Sequence, residues 1–165
     1  MIRTAISLEI NRPVEEVFAF MNEPANLFKW SQQIEEVRQL TSGPIDVGSE
    51  FEIVSRFMGS NIHSMLIVTE YLPNERVSSE GHAGGMKLRS TTSYEPHNGN
   101  TLIKMESEIE PSGFWKLIAP LLPALIRRQT ASDHRRLRAS IEQTISKEKR
   151  DMGVVDISRT IVSAH

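Results

Sequence analysis

The chain has 165 residues, of which 39% are apolar and 24% charged, proportions that suit one soluble globular domain with a sizeable core. Its 19 basic and 21 acidic residues leave a formal charge of -2, which argues against nucleic acid as a partner. With no cysteine in the chain, disulfides, thiolate catalysis and cysteine-ligated metals are excluded, and a reducing compartment fits.

Met1-Ile2-Arg3-Thr4 leads straight into a strand pattern and lacks a signal peptide's apolar segment. The longest apolar stretch, Phe114 to Ile126, is interrupted by Lys116 and two prolines and is too short to span a bilayer. A soluble, cytoplasmic protein is expected. Ile6, Leu8 and Ile10 alternate with Ala5, Ser7 and Glu9, which predicts a half-buried first strand over Ile2 to Ile10. Asn11 is placed to cap a helix that Pro13 starts, and Glu15 and Glu16 favour the positive end of that helix. Val14, Val17, Phe18 and Met21 fall at helical spacing and are expected to bury. Asn22-Glu23-Pro24 ends this helix and opens a second short one that closes near Trp30.

Six further strands are predicted: Ile34 to Leu40, Glu50 to Phe57, Ile62 to Tyr71, Arg76 to Glu80, Lys87 to Tyr94 and Thr101 to Ile109. The short links between them carry glycine, asparagine and proline, which points to an antiparallel meander. Gly81 to Gly85 reads as a hairpin loop or a flexible lid, and Pro96 to Asn100 as another loop. Strand alternation puts Phe51, Ile53, Ser55 and Phe57 on one face, with Leu88, Ser90, Thr92 and Tyr94, and Ile103, Met105, Ser107 and Ile109. A filled core would place bulky apolar groups at all of these positions. The small hydroxyls Ser55, Ser90, Thr92 and Ser107 among them suggest a cavity. Either they bind the few polar atoms of a hydrophobic ligand, or ordered water, or they bond to backbone and face small voids.

After Pro111 the period changes from two to about 3.6 residues. Leu122, Ile126, Thr130, Leu137, Ile141 and Ile145 recur at helical steps, predicting a long helix over roughly Gly113 to Glu148. Pro120 and Pro123 should kink or break its first part. The remainder reads as a tail over 149–165, loose or with a short strand at Val154, Val155 and Ile157. Residues 1–148 read as a single domain.

The order of strand, two short helices, six-strand meander and long final helix resembles the START-like superfamily, also called SRPBCC. The segments ISLEINRPVEEVFAFMNEPANLFKW, VTEYLPNERV and PLLPALIRRQTASDHRRLRASIE carry the likeness. It spans about residues 2–146, and is greatest to the bacterial polyketide cyclase/dehydrase and lipid-transport group. The resemblance implies an α+β helix-grip fold, as in birch-pollen allergens: a curved antiparallel sheet wrapped around the C-terminal helix, with a cavity between them. It implies binding or carriage of an apolar small molecule such as a lipid or polyketide. The alternative is a cyclase or dehydrase acting on an aromatic or polyketide substrate. Pro123 so close behind Pro120, and the added tail, depart from the family pattern and bear on the shape of the cavity mouth.

Trp30 is either core or cavity wall, and Trp115, in the broken start of the last helix, either mouth or wall. With Leu122 and Ile126 from that helix, these residues complete the expected ligand-binding set; no catalytic residue is named. Arg56 and His63 either grip an acidic head group at the mouth or are solvated on the outer face. His63, His82, His97, His134 and His165 show no ligand spacing, so no metal or cofactor is expected. His82 and His97 are read as exposed in turns. Tyr94 and Glu106 are the nearest strand candidates for proton transfer, but alternation turns Glu106 away from Ile103 and Met105. Phe114 to Leu122 beside Arg127 and Arg128 suits transient contact with an anionic membrane surface. The chain is expected to be a monomer or homodimer.

Overall fold

Alternating side chains become alternating burial along β1 (Ile2–Ile10) and the meander that follows. The computed structural model describes residues 1–57, 59–113, 115–121, 124 and 135–150. After β1 come α1 (Val14–Met21), a 3₁₀ turn (Pro24–Asn26) and α2 (Leu27–Trp30). The strands β2 (Ile34–Gln39), β3 (Glu50–Phe57), β4 (Ser60–Leu72), β5 (Arg76–Ala83), β6 (Met86–His97) and β7 (Asn100–Glu110) then run in succession. Among the described residues these form one antiparallel sheet in the order β1-β7-β6-β5-β4-β3-β2. Two helical segments close the described chain, α3 (Trp115–Ile118) and α4 (135–150).

Several expectations need correction. Asn11 does not cap α1: Pro13 occupies the N-cap in an extended conformation, and the Asn11 amide instead donates to Glu142 in α4. Gly81 to Ala83 belong to β5, so the glycine-rich stretch is no lid; Gly84 and Gly85, both at positive φ, make a two-residue hairpin turn. Asn98 and Gly99 turn β6 into β7 in the same way, and Pro96 and His97 stay in the strand. His82 and His97 are therefore strand residues, although both are exposed. The final helix is broken as the prolines require. α3 ends at Ile118 and a turn follows through Pro120. The strand proposed at Val154, Val155 and Ile157 lies outside the described residues, as do Thr130, Phe114, Arg127, Arg128 and His134.

The core sits at one end of the sheet. Val14, Val17 and Phe18 of α1 meet Ile10, Tyr94 and Ile103 of the sheet and Leu137, Ile141 and Ile145 of α4, all buried. The latter three lie four residues apart, one stripe of a helix. Polar contacts hold α4 in place: Arg138 donates twice to the Glu9 carbonyl at 3.0 and 2.6 Å, Ser140 donates to the Lys29 carbonyl at 2.9 Å, and Lys149 pairs with Glu16 at 2.6 Å.

Candidate functional site

Strand register decides which side chains share a face, because side chains alternate and paired residues lie opposite one another. Ile103 pairs with Tyr94 and Leu8, and these belong to the cluster that α1 and α4 cover, which defines the inner face. Every strand residue assigned inward by alternation falls on it. Ser107 pairs with Ser90, Met105 with Thr92, and Ile109 with Leu88. Phe51, Ile53, Ser55 and Phe57 join the same face through Leu66, Ser64, Ile62 and Ser60 of β4. Both faces of β4 look half apolar in sequence. Its register turns Ser64, Leu66 and Val68 inward, and a bulge between Val68 and Glu70 then brings Tyr71 to the same side, opposite Val77.

The inner face is unevenly filled: besides the core end, Ser64 and Val68 of β4 and Ala83 of β5 are buried on it. Around Tyr94 and Ile103 it is solid, whereas Phe51, Ile53, Ser55, Phe57, Leu88, Ser90, Thr92, Met105 and Ser107 are all half-buried. Trp30 packs against the edge of the solid end. Leu122 and Ile126 lie outside the described residues. Sequence reading missed Thr4, Ser64 and Ser79. Thr4 shares the parity of Ile6 and Leu8, and Ser79 that of Val77, so alternation was a sufficient signal for both.

At the other end α3 lies against two hairpins. The Trp115 ring stands 6.0 Å from Phe57, its Nε1 donates to the Gly84 carbonyl at 2.6 Å, and Ser112 bonds the Gly85 carbonyl. Leu117 and Leu121 are 77% and 62% exposed there.

Arg56 and His63 do not form a head-group site. Both lie on the outer face, and register sets Arg56 opposite Asn61 and His63 opposite Val54. Arg56 pairs with Glu35 at 2.5 Å and His63 stands 3.9 Å from Glu52. Glu106 is also on the outer face, paired with Thr91 and Ala5. Two shallow recesses of about 640 and 590 Å³ lie on this outer face, lined by charged side chains such as Glu80, Lys87, Arg89 and Glu108. Neither is the expected ligand cavity. No cluster of metal-ligating side chains occurs among the described residues.

Tyr71 and Tyr94 flank Phe18 edge-on, with ring centroids 5.5 and 5.0 Å away. Burial pushes both phenols above the ordinary tyrosine value, Tyr94 far above it; Asp46 adds to the effect on Tyr71. Asn22 Nδ2 donates weakly to the Tyr94 oxygen at 3.4 Å while also donating to the Phe18 carbonyl at 2.9 Å. The folded state therefore holds both phenolic protons more tightly than the unfolded chain, which releases them near pH ~10. Their contribution to stability is complete below that pH and is lost as pH rises above it. Tyr94→Phe should flatten this alkaline decline. At neutral pH it should change stability by no more than about 1 kcal/mol, because Asn22 keeps its stronger acceptor. Urea unfolding at neutral pH and near pH ~11 measures both effects, and an alkaline slope equal to that of the parent protein would contradict the assignment.

The family described as polyketide cyclase / dehydrase and lipid transport matches residues 1–142. No curated protein matches the chain in sequence. Among solved structures, the chain is similar to the protein TTHA0849 of Thermus thermophilus, with a TM-score of 0.74, 15% identity, and coverage of 87% of this chain and 99% of that one. A START superfamily protein from Mycobacterium smegmatis gives a TM-score of 0.67 at 14% identity, covering 86% and 98%. The Zhui aromatase/cyclase of Streptomyces sp. R1128 gives 0.70 at 10% identity, covering 87% and 95%. At these identities the likeness is one of fold. It agrees with the helix-grip architecture expected from the order of elements.

Proposed function

Because this chain belongs to the polyketide cyclase / dehydrase and lipid transport family, we propose that it binds and carries a hydrophobic small molecule against the half-buried inner face of its sheet. One observation carries this reading. By register, the inward positions of the seven strands hold apolar and hydroxyl side chains and the Gln39 carboxamide at the β2 edge, but no Asp, Glu, Lys, Arg or His among the described residues. Apolar burial supplies affinity on such a surface, at about 25 cal/mol per Å² before ordering costs. A cyclase or dehydrase would need a proton-transfer group there, and the only ionisable ones among the described residues are Tyr71 and Tyr94, which burial keeps protonated.

The α3 end supports a reading as the entrance, with Leu117, Leu121 and Lys116 touching an anionic membrane during exchange. The neutral dye phenylnaphthylamine, presented in anionic vesicles, tests both parts. The protein should extract it with a rise in fluorescence. Leu88→Arg should weaken binding at least about tenfold, by placing a charge on an apolar wall. The double variant Leu117→Glu and Leu121→Glu should slow extraction from vesicles and leave binding of the free dye unchanged. Parent protein that takes up no dye from water or vesicles would refute the binding function. Equal extraction rates would refute the membrane contact.

A further inference from the structure

The inward hydroxyls are not scattered. Register aligns Thr4 of β1 with Ser107 of β7, Ser107 with Ser90 of β6, and Ser90 with Ser79 of β5. Four neighbouring strands thus place a hydroxyl at the same level, a transverse band about 14 Å wide at the usual strand spacing. All four residues are half-buried. The level toward the core holds Ile6, Met105, Thr92 and Val77, and the level toward the open end Ile2, Ile109 and Leu88. The hydroxyl band therefore crosses a largely apolar surface.

Its hydrogen bonding is incomplete. Ser79 Oγ and Ser90 Oγ lie 2.9 Å apart, so one hydroxyl donates to the other and the pair keeps one proton to give. Among the described residues, the Thr4 and Ser107 hydroxyls have no hydrogen-bond partner. Neither oxygen is fully buried, so water can bond both, and a ligand that displaces that water has to supply the bond in its place. A hydroxyl both donates and accepts, so it suits an alcohol or carbonyl oxygen. A carboxylate or phosphate would need a cation, and the described inner face has none.

We propose that the ligand is a neutral, mostly hydrocarbon molecule with an alcohol or ketone oxygen near its middle, held by the Thr4, Ser107, Ser90 and Ser79 band with apolar portions on either side. This rests on the binding function proposed above. The Tyr94 level lies four residues from Ser90 along β6, about 13 Å at the usual rise. Met105 and Val77, at the level between, pack against the core, so the apolar portion on that side of the band is the shorter one.

Competition against phenylnaphthylamine with fluorene, fluorenone and fluorene carboxylate tests the proposal, since the three share a skeleton and differ at its centre. In the Ser90→Ala/Ser107→Ala double variant, the ratio of fluorenone to fluorene affinity should fall at least about fivefold, with fluorene affinity itself little changed. Thr4→Val preserves shape on an edge strand and should lower the same ratio should the double variant fail to fold, as thermal melting reports. Fluorene carboxylate should compete poorly. An unchanged ratio in both folded variants, or a carboxylate that competes as well as the ketone, would overturn the hydroxyl band and leave the binding function standing. Absence of binding by the dye and all three competitors in the parent protein would remove both.

Discussion

Ile103→Ala should lower the unfolding free energy by about 3–4 kcal/mol, measured by urea or thermal denaturation. Ile103 is 0% exposed and belongs to the cluster where the sheet, α1 and α4 converge. Its β7 position is paired on both sides, with Leu8 and with Tyr94, so the surrounding backbone is held and cannot collapse into the space left behind. The cost then combines lost transfer free energy with a cavity. The same substitution at Ile53, half-buried on the open stretch of the inner face, should cost less, about 1–2 kcal/mol, because less apolar area leaves water there. Equal losses at the two positions would show that the inner face is packed uniformly and would undercut the proposed binding surface.

Gly81→Ala should be more damaging than its size suggests, with a loss of about 3 kcal/mol or more, or failure to fold. A Cβ at Gly81 would lie 1.8 Å from the Met65 carbonyl oxygen and 2.9 Å from the Leu66 Cα. Both are backbone atoms of the paired strand β4, so no side chain can rotate to make room, and β4 and β5 would have to part. Two hairpin glycines provide the contrast. Gly99 has nothing within 4 Å of an added Cβ, and only its φ of 80° opposes alanine, which costs about 1–2 kcal/mol. Gly84 combines a φ of 52° with a 3.3 Å approach to Ile62 Cγ2, a methyl on a stiff β-branched side chain, so its cost should fall between the other two. Should Gly81→Ala melt within a few degrees of Gly99→Ala, the close approach of β4 and β5 is not what requires glycine there.

Much of the fold was legible because the meander repeats a local rule. Period-two alternation located all seven strands. Their ends were missed where glycine or proline continued a ladder, at Gly81 to Ala83 and at Pro96 and His97. Turn chemistry marks where a chain is able to reverse, but cross-strand pairing sets where it does. For the same reason His82 and His97 became strand residues. In strand β4 the two faces carry similar apolar content, and the neighbours β3 and β5 and the bulge after Val68 determine which faces inward. Arg56 and His63 show the limit of proximity in sequence. A hairpin brings them near each other, but both carry their charge on the outer face, where Glu35 and Glu52 lie within ion-pair reach.

By itself the sequence determined the strand periodicity, the break at Pro120, the helical stripe of Leu137, Ile141 and Ile145, and the family, since these depend on residue type and spacing within a few neighbours. Tertiary structure alone decided that Thr4, Ser107, Ser90 and Ser79 form one row. It also decided that the inner face is closed at the Tyr94 end and that Gly81 tolerates no side chain. Each of these depends on the register between strands far apart in the chain, which is set when the whole sheet pairs and α4 covers it.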